Sequence, residues 1–226
     1  IEDNNGKYSD WIELYNESTD TVNLKGYTIS DDSEELDKYI LPDMSISPGS
    51  YLVIFASGND YVSDVTFWET LVGNGQSAKY IIPNSQTENN WIETDFNDQN
   101  WNTGQYGIGY GDNDDNTIIN NGTISIFARS RFSISDLQSV KNMFLHVDYD
   151  DAFVAYLNGI EIARENINGE SPIVYNQTAN SYTEPRIPYD QYPWEKNITE
   201  SIPLLNEGIN VFAIQVHNLS SNSSDL

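Results

Sequence analysis

The chain has 226 residues, with 35 acidic against 10 basic side chains, a net charge of −25 and no cysteine. Phosphate backbones and anionic membranes are held by Lys and Arg, so this balance argues against nucleic acid and lipid surfaces as partners. The 15 Tyr, 8 Phe and 5 Trp are enough for a packed core, which excludes a disordered chain.

A surface this acidic suits salty or calcium-rich surroundings, where cations screen its self-repulsion. The lack of Cys fits a cytosolic protein or a secreted bacterial one. No 18-residue apolar run is present, so no segment reads as a membrane-spanning helix. Both ends, Ile1-Glu2-Asp3 and Ser224-Asp225-Leu226, read as cuts within a longer protein. The six Asn-x-Ser/Thr sequons are expected by chance in a chain this rich in Asn, Ser and Thr, and carry no weight.

In chain order, period-two patterns and turn dipeptides dominate, and helical periodicity is nearly absent. Glu34–Lys38 is the one stretch that could turn as a helix, and it has no apolar face. Tyr39–Leu41 and Tyr51–Phe55 are short apolar runs between turns, the second led by Pro48-Gly49. A boundary falls near residues 58–66, which gives a segment 1–60 of small-sandwich size and a segment 61–226 of jelly-roll size.

Within the second segment, Asp112-Asn113-Asp114-Asp115-Asn116 is an acidic loop after a glycine-rich run. Alternating Asp and Asn can supply the hard oxygen ligands that calcium takes, although the EF-hand spacing is not met. Met143, Leu145, Val147 and Tyr149 then alternate with Phe144, His146 and Asp148.

The richest stretch follows. Phe153–Leu157 and Ile160–Arg164 flank Asn158-Gly159, the pair best able to hold the two positive φ angles of a type I′ turn. A tight hairpin is predicted there. Asp148, Asp150 and Asp151 stand just before it. As a strand, that stretch would aim Asp148 and Asp150 to one face and Asp151 to the other. The candidates for neutralising them are a cation, backbone amides, or Arg129, Arg131 and Arg164.

Residues 165–200 read as a long loop excursion of the kind that is functional or mobile. Trp194, Tyr189, Tyr192 and Trp91 are the candidate sugar-stacking aromatics, with Trp194 the leading one; Trp101 reads as core. With 35 acids, any carboxylate pair can be proposed for glycoside hydrolysis, so that signal is empty. His146 and His217 read as edge or hydrogen-bonded histidines, and no nucleophile elbow is present.

The first sixty residues resemble the bacterial lamin tail domain. Tyr8-Ser9-Asp10-Trp11-Ile12-Glu13-Leu14-Tyr15-Asn16 carries the resemblance, then Val22-Asn23-Leu24-Lys25-Gly26-Tyr27-Thr28-Ile29-Ser30-Asp31-Asp32. Leu41-Pro42, Ile46-Ser47-Pro48-Gly49 and Tyr51-Leu52-Val53-Ile54-Phe55-Ala56 complete it. The resemblance implies a small immunoglobulin-like β-sandwich. The first strand of that fold and those after Ala56 are not evident, so the segment reads as incomplete or as borrowing strands.

The remainder resembles the galactose-binding-like jelly roll that follows lamin-tail modules in large bacterial surface proteins, some of which carry a spore-coat-H-type kinase domain. Phe96-Asn97-Asp98 with Trp101, Gly107-Ile108-Gly109-Tyr110-Gly111-Asp112 and Arg129-Ser130-Arg131-Phe132 carry this match. So do Gly104, the hairpin stretch Asp148–Arg164, and Gly208-Ile209-Asn210-Val211 leading to Gln215-Val216-His217-Asn218. No kinase motif is present in these residues.

The expectation is therefore an all-β, non-catalytic pair of binding or adhesion modules, secreted or at a bacterial cell surface, with a glycan as ligand. Ca2+ would be held by Asp112, Asp114, Asp115, Asp148, Asp150 and Asp151, and other domains of the same polypeptide would be partners. The alternatives are an accessory region of an extracellular enzyme, or a spacer.

Overall fold

The computed structural model describes residues 10–41, 44–56, 68–111, 115–189 and 191–226. The protein is all-β, with two β-sandwich units: a small immunoglobulin-like sandwich and a jelly roll. The units divide after Thr70, just beyond the 58–66 stretch where the sequence pattern placed the boundary.

In the first unit the strands are β1 (Asp10–Tyr15), β2 (Val22–Asn23), β3 (Thr28–Ile29), β4 (Tyr39–Ile40), β5 (Ser45–Ile46) and β6 (Tyr51–Ala56). They pair as three antiparallel ribbons, β1 with β6, β2 with β5 and β3 with β4. Alternation along β1 and β6 sends Leu14, Leu52 and Ile54 inward, onto Leu24, Leu41 and Ile46. Trp11 and Ile12 of the same strand stay exposed, at 43% and 38%. Asn16 braces the small core through Nδ2, which donates to the carbonyls of Asp20 and Ile46 at 2.8 Å each. Glu34–Lys38 forms turns and no helix.

The second unit contains β7 (Ser77–Ile81), β8 (Asn102–Gln105), β9 (Ile108–Gly109), β10 (Thr117–Ile118), β11 (Ser125–Ile134), β12 (Phe144–Val147), β13 (Ala152–Leu157), β14 (Ile160–Glu165), β15 (Trp194–Asn197) and β16 (Gly208–His217). Its main sheet has six strands in the order β14-β13-β16-β11-β7-β8, antiparallel throughout. The central pair β11–β16 is in register over ten residues, from Ser125 opposite His217 to Ile134 opposite Gly208. β12 and β15 form a separate antiparallel ribbon.

Strands β13 and β16 are packed on both faces. Trp91, Phe127, Val154, Tyr156, Val211 and Ala213 fill one side, and Phe153, Ala155, Leu157, Ile162 and Ile214 the other. The hairpin forms as its Asn-Gly pair predicts. Leu157 faces Ile160, Asn158 and Gly159 both have positive φ, and each strand runs one residue longer than expected. A Cβ at position 159 would meet only the Glu93 carboxylate, the movable end of an exposed side chain, so it is the positive φ that calls for glycine there.

Candidate functional site

The three aspartates before the hairpin do not lie in a strand. β12 ends at Val147, and residues 148–151 form the connection to β13. The expected two-faced arrangement is therefore replaced by one in which two of the carboxylates organise distant backbone. Asp148 accepts from the amides of Arg186 at 2.6 Å and Ile187 at 3.0 Å. Asp151, fully buried, accepts from Thr183 at 2.8 Å and Leu219 at 2.7 Å. Asp150 is buried beside it. A carboxylate that accepts backbone amides is satisfied without a cation.

Among the described residues, no group of three or more His, Cys, Asp or Glu is arranged to hold a metal ion. Asp112 and Asp114 lie outside the described residues, and Asp115 sits against Gly109. The arginines go elsewhere too. Arg129 and Arg131 pair with Asp98, and Arg164 pairs with Glu161 at 2.5 Å.

The excursion after β14 is tied down rather than loose. Gln215 acts as a backbone mimic: its Nε2 donates to the Ile173 carbonyl at 2.8 Å, and its Oε1 accepts from the Ile173 amide at 3.2 Å. The same Oε1 accepts from Tyr156 Oη at 2.5 Å. Burial pushes that phenol up to about 12, so it stays a donor. Ser125 Oγ donates to the Tyr175 carbonyl at 2.5 Å. Asn166, with φ of 56°, donates to the carbonyls of Asp151 and Ser181.

Sequence reasoning passed over Ser125 and Asn166. It placed Gln215 in one strand row with Val211 and Ala213 and in the motif that follows Gly208-Ile209-Asn210-Val211, and assigned it no partner.

Both histidines have local structural partners. His217 is buried, its Nδ1 is 2.8 Å from the Gln177 carbonyl, and its Nε2 has no hydrogen-bond partner. A carbonyl can only accept, so the proton sits on Nδ1. Burial pulls the imidazole down to about 4, against the smaller upward pull of the Gln177 carbonyl. His146 Nε2 lies 2.9 Å from Glu195 Oε2 across the exposed β12–β15 ribbon.

The aromatic candidates separate by burial. Trp91 is core, only 1% exposed, stacked on Phe127 at 4.5 Å between ring centroids and edge-on to Tyr156. Neither of its faces is open to a sugar, which corrects the sequence reading. Trp101 packs with it, as expected. Trp194 is half-buried and edge-on to Phe153 at 5.0 Å. Tyr189 and Tyr192 are open, 60% and 91% exposed, and Tyr189 Oη donates to Glu184 at 3.3 Å. Tyr182 and Ile187 extend the same exposed stretch and were missed in the sequence.

The profile described as LTD, Lamin Tail Domain, matches residues 1–131, more than half of the chain. The chain belongs to the lamin tail domain family. The match continues beyond the first unit into β11, whereas the motifs quoted above ended at Ala56. Curated proteins give no significant match to this lamin tail domain chain.

Among solved structures it is similar to a β-glucuronidase of an uncultured Clostridium sp., at 17% identity and TM-score 0.40, over 64% of this chain and 21% of that one. It is similar to a Bacteroides uniformis β-glucuronidase at 12% identity and TM-score 0.41, over 64% and 14%. The Bifidobacterium dentium β-glucuronidase gives 12% identity and TM-score 0.41, over 63% and 19%. The chain thus spans about a fifth or less of the length of these enzymes.

Proposed function

We propose that the chain is a non-catalytic pair of β-sandwich modules in an extracellular or surface-attached bacterial protein, and that the jelly roll binds a glycan. The supporting observation is the mounting of the 182–192 segment. Asp148 and Asp151 fix its backbone to the end of the sheet, yet Tyr182, Tyr189 and Tyr192 face outward. Aromatic rings with a polar tip, held on a fixed frame, suit a sugar face and cost little ordering on binding. The two histidines and the hairpin carboxylates serve packing and backbone capture in this reading, and any catalytic domain lies elsewhere in the polypeptide.

A glycan array run beside hydrolysis assays tests the proposal. Binding without turnover, weakened in Tyr189→Ala/Tyr192→Ala, is the expected result. Turnover abolished by one Asp→Asn change would overturn it in favour of a hydrolase. Binding unaffected by the double change would remove the tyrosine segment, and no binding at all would leave a spacer.

Calcium belongs to this proposal through Asp112, Asp114 and Asp115. Ligands that bind only the folded state raise its stability. A thermal midpoint several degrees higher in calcium than in chelator, and lost in Asp112→Asn, is the expected outcome; an unchanged midpoint removes calcium from the proposal.

A further inference from the structure

A cleft of about 270 Å³ lies at the end of the six-stranded sheet where β7 finishes and β11 begins. One wall is the turn Asn84–Asn89 and the other is Ile173–Asn176, with Phe127 and Ile173 as the apolar floor. Both walls are braced. The Thr87 amide donates to the Asn84 carbonyl and the Asn84 amide to Thr87 Oγ1, each at 3.0 Å. Across the cleft, Gln215 grips Ile173 at both backbone groups and Ser125 holds the Tyr175 carbonyl. A site built this way needs little ordering when it is filled.

The chemistry of the lining differs from that of the rest of the surface. Of the nine residues around the cleft, none is charged, in a chain with 35 acidic side chains. Five are Asn, Ser or Thr, Asn176 among them, and with Tyr175 they form a rim of amides and hydroxyls. The side chains of Ser85, Asn89 and Asn176 make no hydrogen bond to other described residues. A carboxamide offers a donor and an acceptor side by side, which matches adjacent hydroxyls on a ring. The volume falls just under the roughly 300 Å³ at which sites for drug-sized ligands begin.

We infer that this cleft takes a single ring of an uncharged sugar, held between Asn89 and Asn176 over the Phe127–Ile173 floor. A uronic or sialic acid is refused, because its carboxylate would meet a strongly negative protein with no Lys or Arg in the lining to pair it. The inference rests on the glycan-binding reading above, and adds to it a second place, a size and a charge class.

The test is NMR titration of the whole chain with the methyl glycosides of glucose, galactose, mannose and N-acetylglucosamine, and with methyl glucuronide. At least one neutral glycoside is expected to shift amide resonances of 84–89 and 173–176 saturably. Asn89→Ala/Asn176→Ala should weaken that binding at least tenfold while leaving the spectrum of the β-sheet unchanged, and the glucuronide should shift nothing. Three results overturn the inference: shifts confined to 182–192, which would spare the tyrosine reading; glucuronide binding as tightly as the neutral sugars; and no shift at either place with any glycoside, which would remove the glycan reading as well.

Discussion

The Arg129 guanidinium is buried against the Asp98 carboxylate, Nε to Oδ2 at 3.0 Å, and each group has further partners. Nη1 and Nη2 of Arg129 donate to the carbonyls of Trp91 and Glu93, and Phe96 lies under the guanidinium at 5.2 Å. Asp98 also takes Arg131 Nη1, at 2.9 Å to each oxygen. Burial disfavours the charged form of both Asp98 and Arg129. For Asp98 the hydrogen bonds from Arg131 and Arg129 outweigh burial and lower its pKa, while for Arg129 burial wins and lowers its own. The network therefore pins the 89–98 segment to β11.

Asp98→Ala leaves a buried guanidinium without its counter-charge, at a cost of about 3–5 kcal/mol. Urea unfolding should show this as a lower midpoint with an unchanged slope. A loss below about 1 kcal/mol, the range of an exposed pair, would mean that the pair is solvated.

Stability should fall on mild acidification because of His217. Its folded pKa is about 4, against an unfolded value near 6.5. Between those limits the unfolded chain binds a proton that the native chain does not, so stability rises with pH through this window. The difference is roughly 3 kcal/mol at 1.36 kcal/mol per unit. Asp98 acts lower down. Its depressed pKa gives stability that is complete above the unfolded Asp value near 4 and lost as pH falls through the folded one. Denaturant unfolding of the wild type and His217→Gln at pH 7 and pH 4.5 separates the two groups. The variant should lose most of the difference between those pH values, and an equal difference in both proteins would clear His217 of the effect.

The hairpin was legible because its signal is local: Asn158-Gly159 fixes the turn, and apolar runs fix the strands. The late Gly-x-Asn-Val stretch was legible as a motif but not as a contact, since Asn210 and Asn158 lie far apart in the chain and meet only once β13 and β16 pair. The acidic trio misled for the opposite reason. Composition shows three carboxylates, while the amides that satisfy Asp148 and Asp151 come from residues 183, 186, 187 and 219. Partners supplied by backbone leave no mark on the sequence. The same holds for Gln215, whose partner is the main chain of Ile173. Trp91 could not be sorted from Trp194 by pattern, because neither is flanked by an alternating run of apolar residues.

Gln215→Leu should free the excursion without dissolving the sandwich. The change preserves the volume on β16 but strips partners from the Ile173 amide, the Ile173 carbonyl and Tyr156 Oη, all at a buried place. Leaving buried polar groups unpaired costs about 1–3 kcal/mol each where water cannot reach them, and the loop can lift to recover part of that. Hydrogen exchange at residues 173–179 should accelerate by far more than exchange in β11 or β13. Uniform acceleration would mean that the loop and the sheet open together.

The hairpin turn sets up a sharper contrast between two substitutions at one position. Asn158 Nδ2 donates to the Leu204 carbonyl at 2.8 Å and to Asn210 Oδ1 at 2.7 Å, while its Oδ1 accepts from the Val211 amide at 2.8 Å. Asn158→Ala loses all three bonds and places a Cβ-only residue at a φ of 50°, so a cost of about 2–4 kcal/mol is expected. Asn158→Asp tolerates that φ nearly as well as Asn and keeps the acceptor for Val211. It nevertheless turns a donor into a charged oxygen facing two other oxygens, one of them on the fully buried Asn210. If φ alone decides, Asp should be the milder change. If the hydrogen-bond network decides, Asp should be at least as damaging as Ala at pH 7, and should recover toward Ala or better once its carboxyl is protonated and can donate again. Thermal midpoints of both variants at pH 7 and pH 4 distinguish these outcomes, and the network outcome is the expected one, because Asn210 also holds the Asn206 amide and carbonyl and has no spare donor to turn toward an added charge.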